Sequence, residues 1–134
     1  MEKEIWKQIP EYEKYEVSNF GRVRSTHSGF RRIIKNFANG NSGYLQINLS
    51  KNDPHGKRYI AELVLTVFVG ERPEGREASH LNNIKTDNKL SNLAWETRTE
   101  NLLRMAIKNA KELNFTKKEK INIKELYKQL KNFL

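Results

Sequence analysis

Apolar and polar positions alternate in two rhythms along this chain. Leu45, Ile47 and Leu49 alternate with Gln46 and Asn48, so residues 44–49 predict a half-buried strand. Leu63, Val64, Val67 and Phe68 fall at i, i+1, i+4 and i+5, the stripe of a buried helix, although β-branching leaves a strand open there. Gly70 and Arg72-Pro73-Glu74-Gly75 end that element. Residues 30–37 predict a further strand, joined to 44–49 by the turn chemistry of Asn39-Gly40-Asn41-Ser42-Gly43. Val17 and Val23 flank a turn at Asn19-Phe20-Gly21. Residues 78–81 predict a short strand, 82–91 a polar loop, and Leu93 with Trp95 the inward face of another strand. Thr97-Arg98-Thr99-Glu100 has the form of a capping box and starts a helix running to about Glu112. A second box, Thr116-Lys117-Lys118-Glu119, starts a last helix lined by Ile123, Leu126, Tyr127 and Leu130. A β-rich N-terminal part, a mixed central part and a helical tail predict an α+β protein.

Charge narrows the class of partner. The 134 residues hold 25 Lys and Arg against 16 Asp and Glu, a net charge of +9. Such a field draws polyanions, and nucleic acid is the first reading. The chain has no cysteine, which excludes disulfides and cysteine-ligated zinc or iron–sulfur sites. No apolar run approaches the ~20 residues of a membrane span. Glu2-Lys3-Glu4 follow Met1 where a signal peptide would turn apolar, so a cytoplasmic protein is expected.

Candidate chemistry gathers between Ser79 and Asn101. A histidine ends a strand, amides fill the loop behind it, and Asn101 stands early in a capped helix. These can supply a base for water, an oxygen ligand for a metal and, with nearby Lys and Arg, cations for phosphate. The structural alternatives are a packed histidine, a turn-capping asparagine before Leu93 and a solvated helix residue. Arg22 and Arg24 alternate with Val23 and share one strand face, either solvated or turned to phosphate. His55, in the turn Asp53-Pro54-His55-Gly56, reads as a solvated loop residue.

The histidine, loop, strand and capped helix resemble the ββα-metal (His-Me) finger of HNH endonucleases, most closely the homing enzymes of phages and mobile introns. Those begin with a NUMOD-type motif, here Trp6, Ile9, Tyr12, Tyr15, Val17, Ser18, Asn19, Gly21, Val23 and Ser25. The nuclease core resembles residues 44–104. The resemblance implies metal-dependent hydrolysis of phosphodiester bonds in double-stranded DNA. His80 aligns with the general base, a role that suits an imidazole because this group exchanges protons near neutral pH. Asn92, twelve residues on, aligns with the amide that ties down the loop and so orients the histidine. Asn101, nine further, aligns with the helix-borne ligand of Mg²⁺ or Mn²⁺. Ser79 occupies the place of the second metal ligand. Lys85, Lys89, Arg98 and Arg104 would face DNA around the finger, and Arg22, Arg24, Arg31, Arg32 and Lys35 further out.

The chain departs from the pattern at three points. Ser79 replaces an acidic or amide ligand, Ala61-Glu62 replace a common histidine, and Asn82-Asn83-Ile84 stand in for Asp-Gly-Asn. Glu77 and Asp87 are the nearby acids in sequence that would have to compensate for Ser79. The expected organisation is a β-rich DNA-contacting region at 1–43, a nuclease core at 44–112 and a C-terminal helix at 113–134. A monomer with one site would nick; a homodimer could cut both strands. The alternative is an HNH-fold DNA-binding protein with weakened or lost catalysis.

Overall fold

In the computed structural model, which describes residues 2–50 and 52–112 with 125, 128 and 129 beyond, the Asn19-Phe20-Gly21 turn reverses the chain between two strands. β1 (Trp6–Ile9), β2 (Tyr12–Ser18), β3 (Val23–Ser25) and β4 (Arg32–Ile33) form an antiparallel sheet in that order. Val17 pairs with Val23 across β2 and β3, and both side chains are buried. The same register sets Glu16 opposite Arg24 on the other face. A second antiparallel sheet holds β5 (Phe37–Ala38), β6 (Leu45–Asn48) and β7 (Lys57–Tyr59).

The single strand expected over 30–37 is split between these sheets, with β4 in the first and β5 in the second. Ile33 and Ile34 are adjacent, so an extended chain cannot turn both inward. Ile34 packs on the core and its amide donates to the Val23 carbonyl at 2.9 Å, while Ile33 remains 49% exposed.

Residues 60–68 choose the helix over the strand: α1 spans Ile60–Phe68. Its buried face includes Leu65 as well as Leu63 and Val64, and Val67 and Phe68 are partly buried beside it. α1 packs on β1, β2, β6 and β7. One core therefore joins Ile9, Val17 and Val23 of the first sheet to Ile47, Leu49, Ile60, Val64 and Leu93. Ile47 is 1% exposed. Ile47→Val should cost about 0.5–1.5 kcal/mol in chemical denaturation, the penalty of one lost buried methylene.

β8 (Arg76–His80) and β9 (Leu93–Thr97) pair as a two-stranded sheet, and α2 (Arg98–Glu112) follows β9 directly. This is the expected strand–strand–helix order, and the fold is α+β. The chain divides into two compact units, Met1–Glu74 with Ala78–Trp95, and Gly75–Glu77 with Glu96–Leu134. The helix expected from Thr116 lies outside the described residues. Among those described, no helix is long and apolar enough to cross a membrane.

Candidate functional site

His80 is the last residue of β8 and is 7% exposed. Its Nε2 lies 2.7 Å from Asn88 Oδ1, and Asn88 is itself buried. An amide oxygen only accepts, so Nε2 carries a proton, and in the neutral ring Nδ1 is the nitrogen with the lone pair. Tyr44 stacks on the imidazole at 5.7 Å between centroids and 25° between planes. Lys85 Nζ stands 4.9 Å from the Tyr44 ring and donates to the Ser42 carbonyl at 2.8 Å. The ring is thus fixed by one hydrogen bond and one stacked face.

Asn92 organises the loop between His80 and β9. Its Oδ1 accepts from the Asn82 amide at 2.9 Å. Its Nδ2 donates to Asn82 Oδ1 at 2.9 Å and to the Asp87 carbonyl at 2.8 Å. Its own carbonyl accepts from the Leu81 amide at 2.8 Å. Asn82 Nδ2 in turn donates to Asp87 Oδ2 at 2.8 Å. The side chain that hydrogen-bonds the imidazole is therefore Asn88, while Asn92 holds the loop that presents it. Asp87 faces Asn82, and Glu77 is exposed on β8. Ser79 is 5% exposed and offers a neutral hydroxyl.

The Ser18–Arg22 turn in the same unit is densely bonded. Ser18 Oγ accepts from the Phe20 and Arg22 amides, each at 3.2 Å, and donates to Glu4 Oε2 at 2.8 Å. Asn19 Oδ1 accepts from the Ile5 amide at 2.7 Å, and its Nδ2 donates to the Lys3 carbonyl at 3.1 Å. The Arg22 guanidinium hydrogen-bonds Glu4 and holds its carboxyl below the ordinary glutamate range. A depressed folded-state pKa stabilises the fold above the unfolded value and loses that contribution as pH falls through the folded one. Arg22 is 53% exposed, so water screens the pair and its contribution is small. The melting temperature of the wild type should drop more than that of Glu4→Gln between about pH 4.5 and pH 3, the window that opens at the ordinary glutamate pKa and runs down toward the lowered one.

The second unit carries Asn101. Thr97 caps α2, its Oγ1 accepting from the Glu100 amide at 3.1 Å. The Glu100 carboxylate lies 3.2 Å from Arg76 Nη1. Asn101 sits one position on, and its Oδ1 accepts from Arg104 Nη2 at 2.7 Å. The same Nη2 donates to Glu96 Oε1 at 3.0 Å, and Arg104 Nε adds a 3.2 Å bond to that oxygen. Glu96 is 6% exposed. An amide oxygen and a carboxylate oxygen thus already share one cation. Both are hard donors, the kind Mg²⁺ and Mn²⁺ take, so this set fits such an ion. No cluster of three or more His, Cys, Asp or Glu occurs among the described residues, so a metal would depend on this mixed oxygen set.

The expected cations divide into two groups. Arg24 pairs with Glu16 at 2.8 Å and lies 4.1 Å from the Trp6 ring. Arg22 pairs with Glu4 and Arg104 with Glu96. Arg31, Arg32, Lys35, Lys85, Lys89 and Arg98 are solvent-exposed. Sequence reasoning missed Tyr44, Asn88 and Glu96. The Asp87-Asn88 pair carried the only local signal, as polar turn chemistry.

Two family models match the chain, the NUMOD4 motif over residues 4–50 and an HNH endonuclease over residues 59–103. An uncharacterized HNH endonuclease of Acanthamoeba polyphaga mimivirus is 38% identical over 104 residues, 74% of this chain and 25% of that protein. A second from the same virus is 31% identical over 113 residues, 84% of this chain and 33% of that one. The chain therefore spans about a quarter to a third of the length of these relatives. A solved structure described as DNA binding and cleavage by the HNH homing endonuclease I-HmuI is similar with a TM-score of 0.62 at 30% identity. The likeness covers 87% of this chain and 65% of that one.

Proposed function

Because the chain belongs to the HNH endonuclease family, with a NUMOD4 motif ahead of its HNH domain, we propose that it hydrolyses phosphodiester bonds of double-stranded DNA. The observation that carries this reading is the 2.7 Å bond from His80 Nε2 to Asn88 Oδ1, which leaves Nδ1 as the basic nitrogen. His80 takes a proton from water through Nδ1. The hydroxide equivalent attacks phosphorus, the bond to the leaving deoxyribose oxygen breaks, and that oxygen departs with the electron pair. Tyr44 and Asn88 keep the imidazole in plane and tautomer, and Asn92 keeps the loop closed behind it.

A divalent cation, Mg²⁺ or Mn²⁺, supplies Lewis-acid polarisation of the phosphate and charge stabilisation for the leaving oxygen when bound. Asn101 is the residue that would hold it, with Glu96 as the nearby carboxylate and Ser79 as the hydroxyl expected from the family pattern. Arg31, Arg32, Lys35, Lys85, Lys89 and Arg98 contact phosphates, with residues 1–43 extending the DNA contact beside the nuclease part at 44–112. Phosphate contacts position the protein without reading bases. A single site per monomer makes the product a nick, and the place of action is inside a bacterial or virus-infected cell.

The test is conversion of supercoiled plasmid to open circles by the whole chain with Mg²⁺ or Mn²⁺. Nicking dependent on either ion is expected. Duplex binding without nicking in either ion would replace the enzyme with a second reading, a DNA-binding relative that has lost catalysis. The neutral, buried Ser79 hydroxyl, where an acid or amide was expected, favours that second reading.

A further inference from the structure

We propose that the Asn19–Gly21 turn of the N-terminal sheet is a positioning element for the His80 imidazole, acting through the loop residue Asn88. The inference rests on the reading of His80 as the base, and it adds a working connection between the N-terminal motif and that base.

Two contacts join turn and loop. The Asn19 carbonyl accepts from the Leu90 amide at 2.8 Å. Gly21 has φ +84°, and a Cβ built there would stand 2.7 Å from the Asn88 carbonyl oxygen and 2.8 Å from the Asn88 Cβ. These are backbone and Cβ atoms, which cannot swing aside as a side-chain tip can. Only glycine provides both the positive φ and the missing volume. The turn is rigid on its own side, because Ser18 and Asn19 are bonded to residues 3–5 and to the turn's own amides. The loop is rigid on the other, through Asn92. Asn88 is held between them, and its Oδ1 selects the Nε2–H tautomer of His80. A turn displaced from the loop moves Asn88, and the imidazole loses the acceptor that leaves Nδ1 basic.

Two variants of the full chain test this, with Asn88→Ala as the reference for a released imidazole. Gly21→Ala adds volume against Asn88. Leu90→Pro removes the amide that meets Asn19. Lys89 has φ −65° and ψ 140°, the conformation preferred before proline, and Leu90 opens a short 3-10 turn where proline is tolerated. Each variant is first checked for a cooperative melt. Imidazole ¹⁵N shifts are then read above neutral pH, together with kcat, KM and duplex affinity.

We expect the His80 ¹⁵N pattern to move from the Nε2–H tautomer toward that of Asn88→Ala. We expect kcat to fall about 10–100-fold, the usual effect of losing an orienting partner, with KM and affinity nearly unchanged. If Gly21→Ala does not fold, Leu90→Pro decides. Folded variants with wild-type His80 shifts overturn the proposal, and so does failure of both to fold, which assigns the contact to stability alone. The shifts answer even if the wild type nicks nothing, so failure of the nuclease reading is separable from failure of this one.

Discussion

Replacing His80 with alanine should lower plasmid nicking by about 10²–10⁴-fold, the usual contribution of a positioned general base. Duplex affinity should stay within about twofold, since the exposed cations that draw phosphate are unchanged. The imidazole is 7% exposed and bonded to a neutral amide, so its removal deletes the base without adding or removing an ion pair. His80→Gln keeps hydrogen bonding but has no basic nitrogen, and should be nearly as slow. Single-turnover nicking at saturating enzyme, beside a filter-binding titration, separates the two effects. Equal loss of rate and affinity would make His80 a structural residue. Wild-type nicking by His80→Ala would remove it from the mechanism.

Glu96→Ala should cost about 3–5 kcal/mol, the penalty for removing one partner of a buried ion pair. The Glu96 side chain is 7% exposed and that of Arg104 17%, so water compensates little for a deleted carboxylate. Glu96 Oε1 takes bonds from both Nε and Nη2 of one guanidinium, a geometry a single amide oxygen cannot fully replace. Glu96→Gln should therefore lose part of the same stability. Denaturant melts of both variants check the order. Arg104→Met with Glu96→Leu, which removes both charges together, should recover much of the loss. Melts that leave Glu96→Ala within about 0.5 kcal/mol of wild type, the range of ordinary surface changes, would mean that the pair is solvated.

How much of this was legible depended on whether the cause was local. The α1 stripe at Leu63, Val64, Val67 and Phe68 was readable because one helix face carries its own period. Thr97 was readable as a cap because a cap is satisfied within three residues. The turn at Asn19-Phe20-Gly21 announced itself by composition, and the family spacing singled out His80, Asn92 and Asn101 as the residues of the proposed site. The adjacent Ile33 and Ile34 should have warned against one continuous strand over 30–37. Asn88 and Tyr44 were out of reach: they meet His80 from 8 and 36 positions away, and the turn chemistry at Asp87-Asn88 does not say which side chain it meets. Glu96 looked like the outward residue of a strand whose inward face was Leu93 and Trp95. Burial reversed that expectation, because Arg104, eight residues on along α2, returns to meet it.

The shared core around α1 limits how such proteins can be recombined. Ile9, Val17 and Val23 of the N-terminal sheet close over the same α1 that packs on β6 and β7. A chimera that exchanges residues 4–50 for another relative's is a graft across a packed interior and not a swap of beads on a string. The donor segment must match side-chain volume at those positions, and it must bring a glycine at position 21. A donor segment that ignores these positions should give loosely packed hybrids, whereas one matched to them first keeps a foldable host.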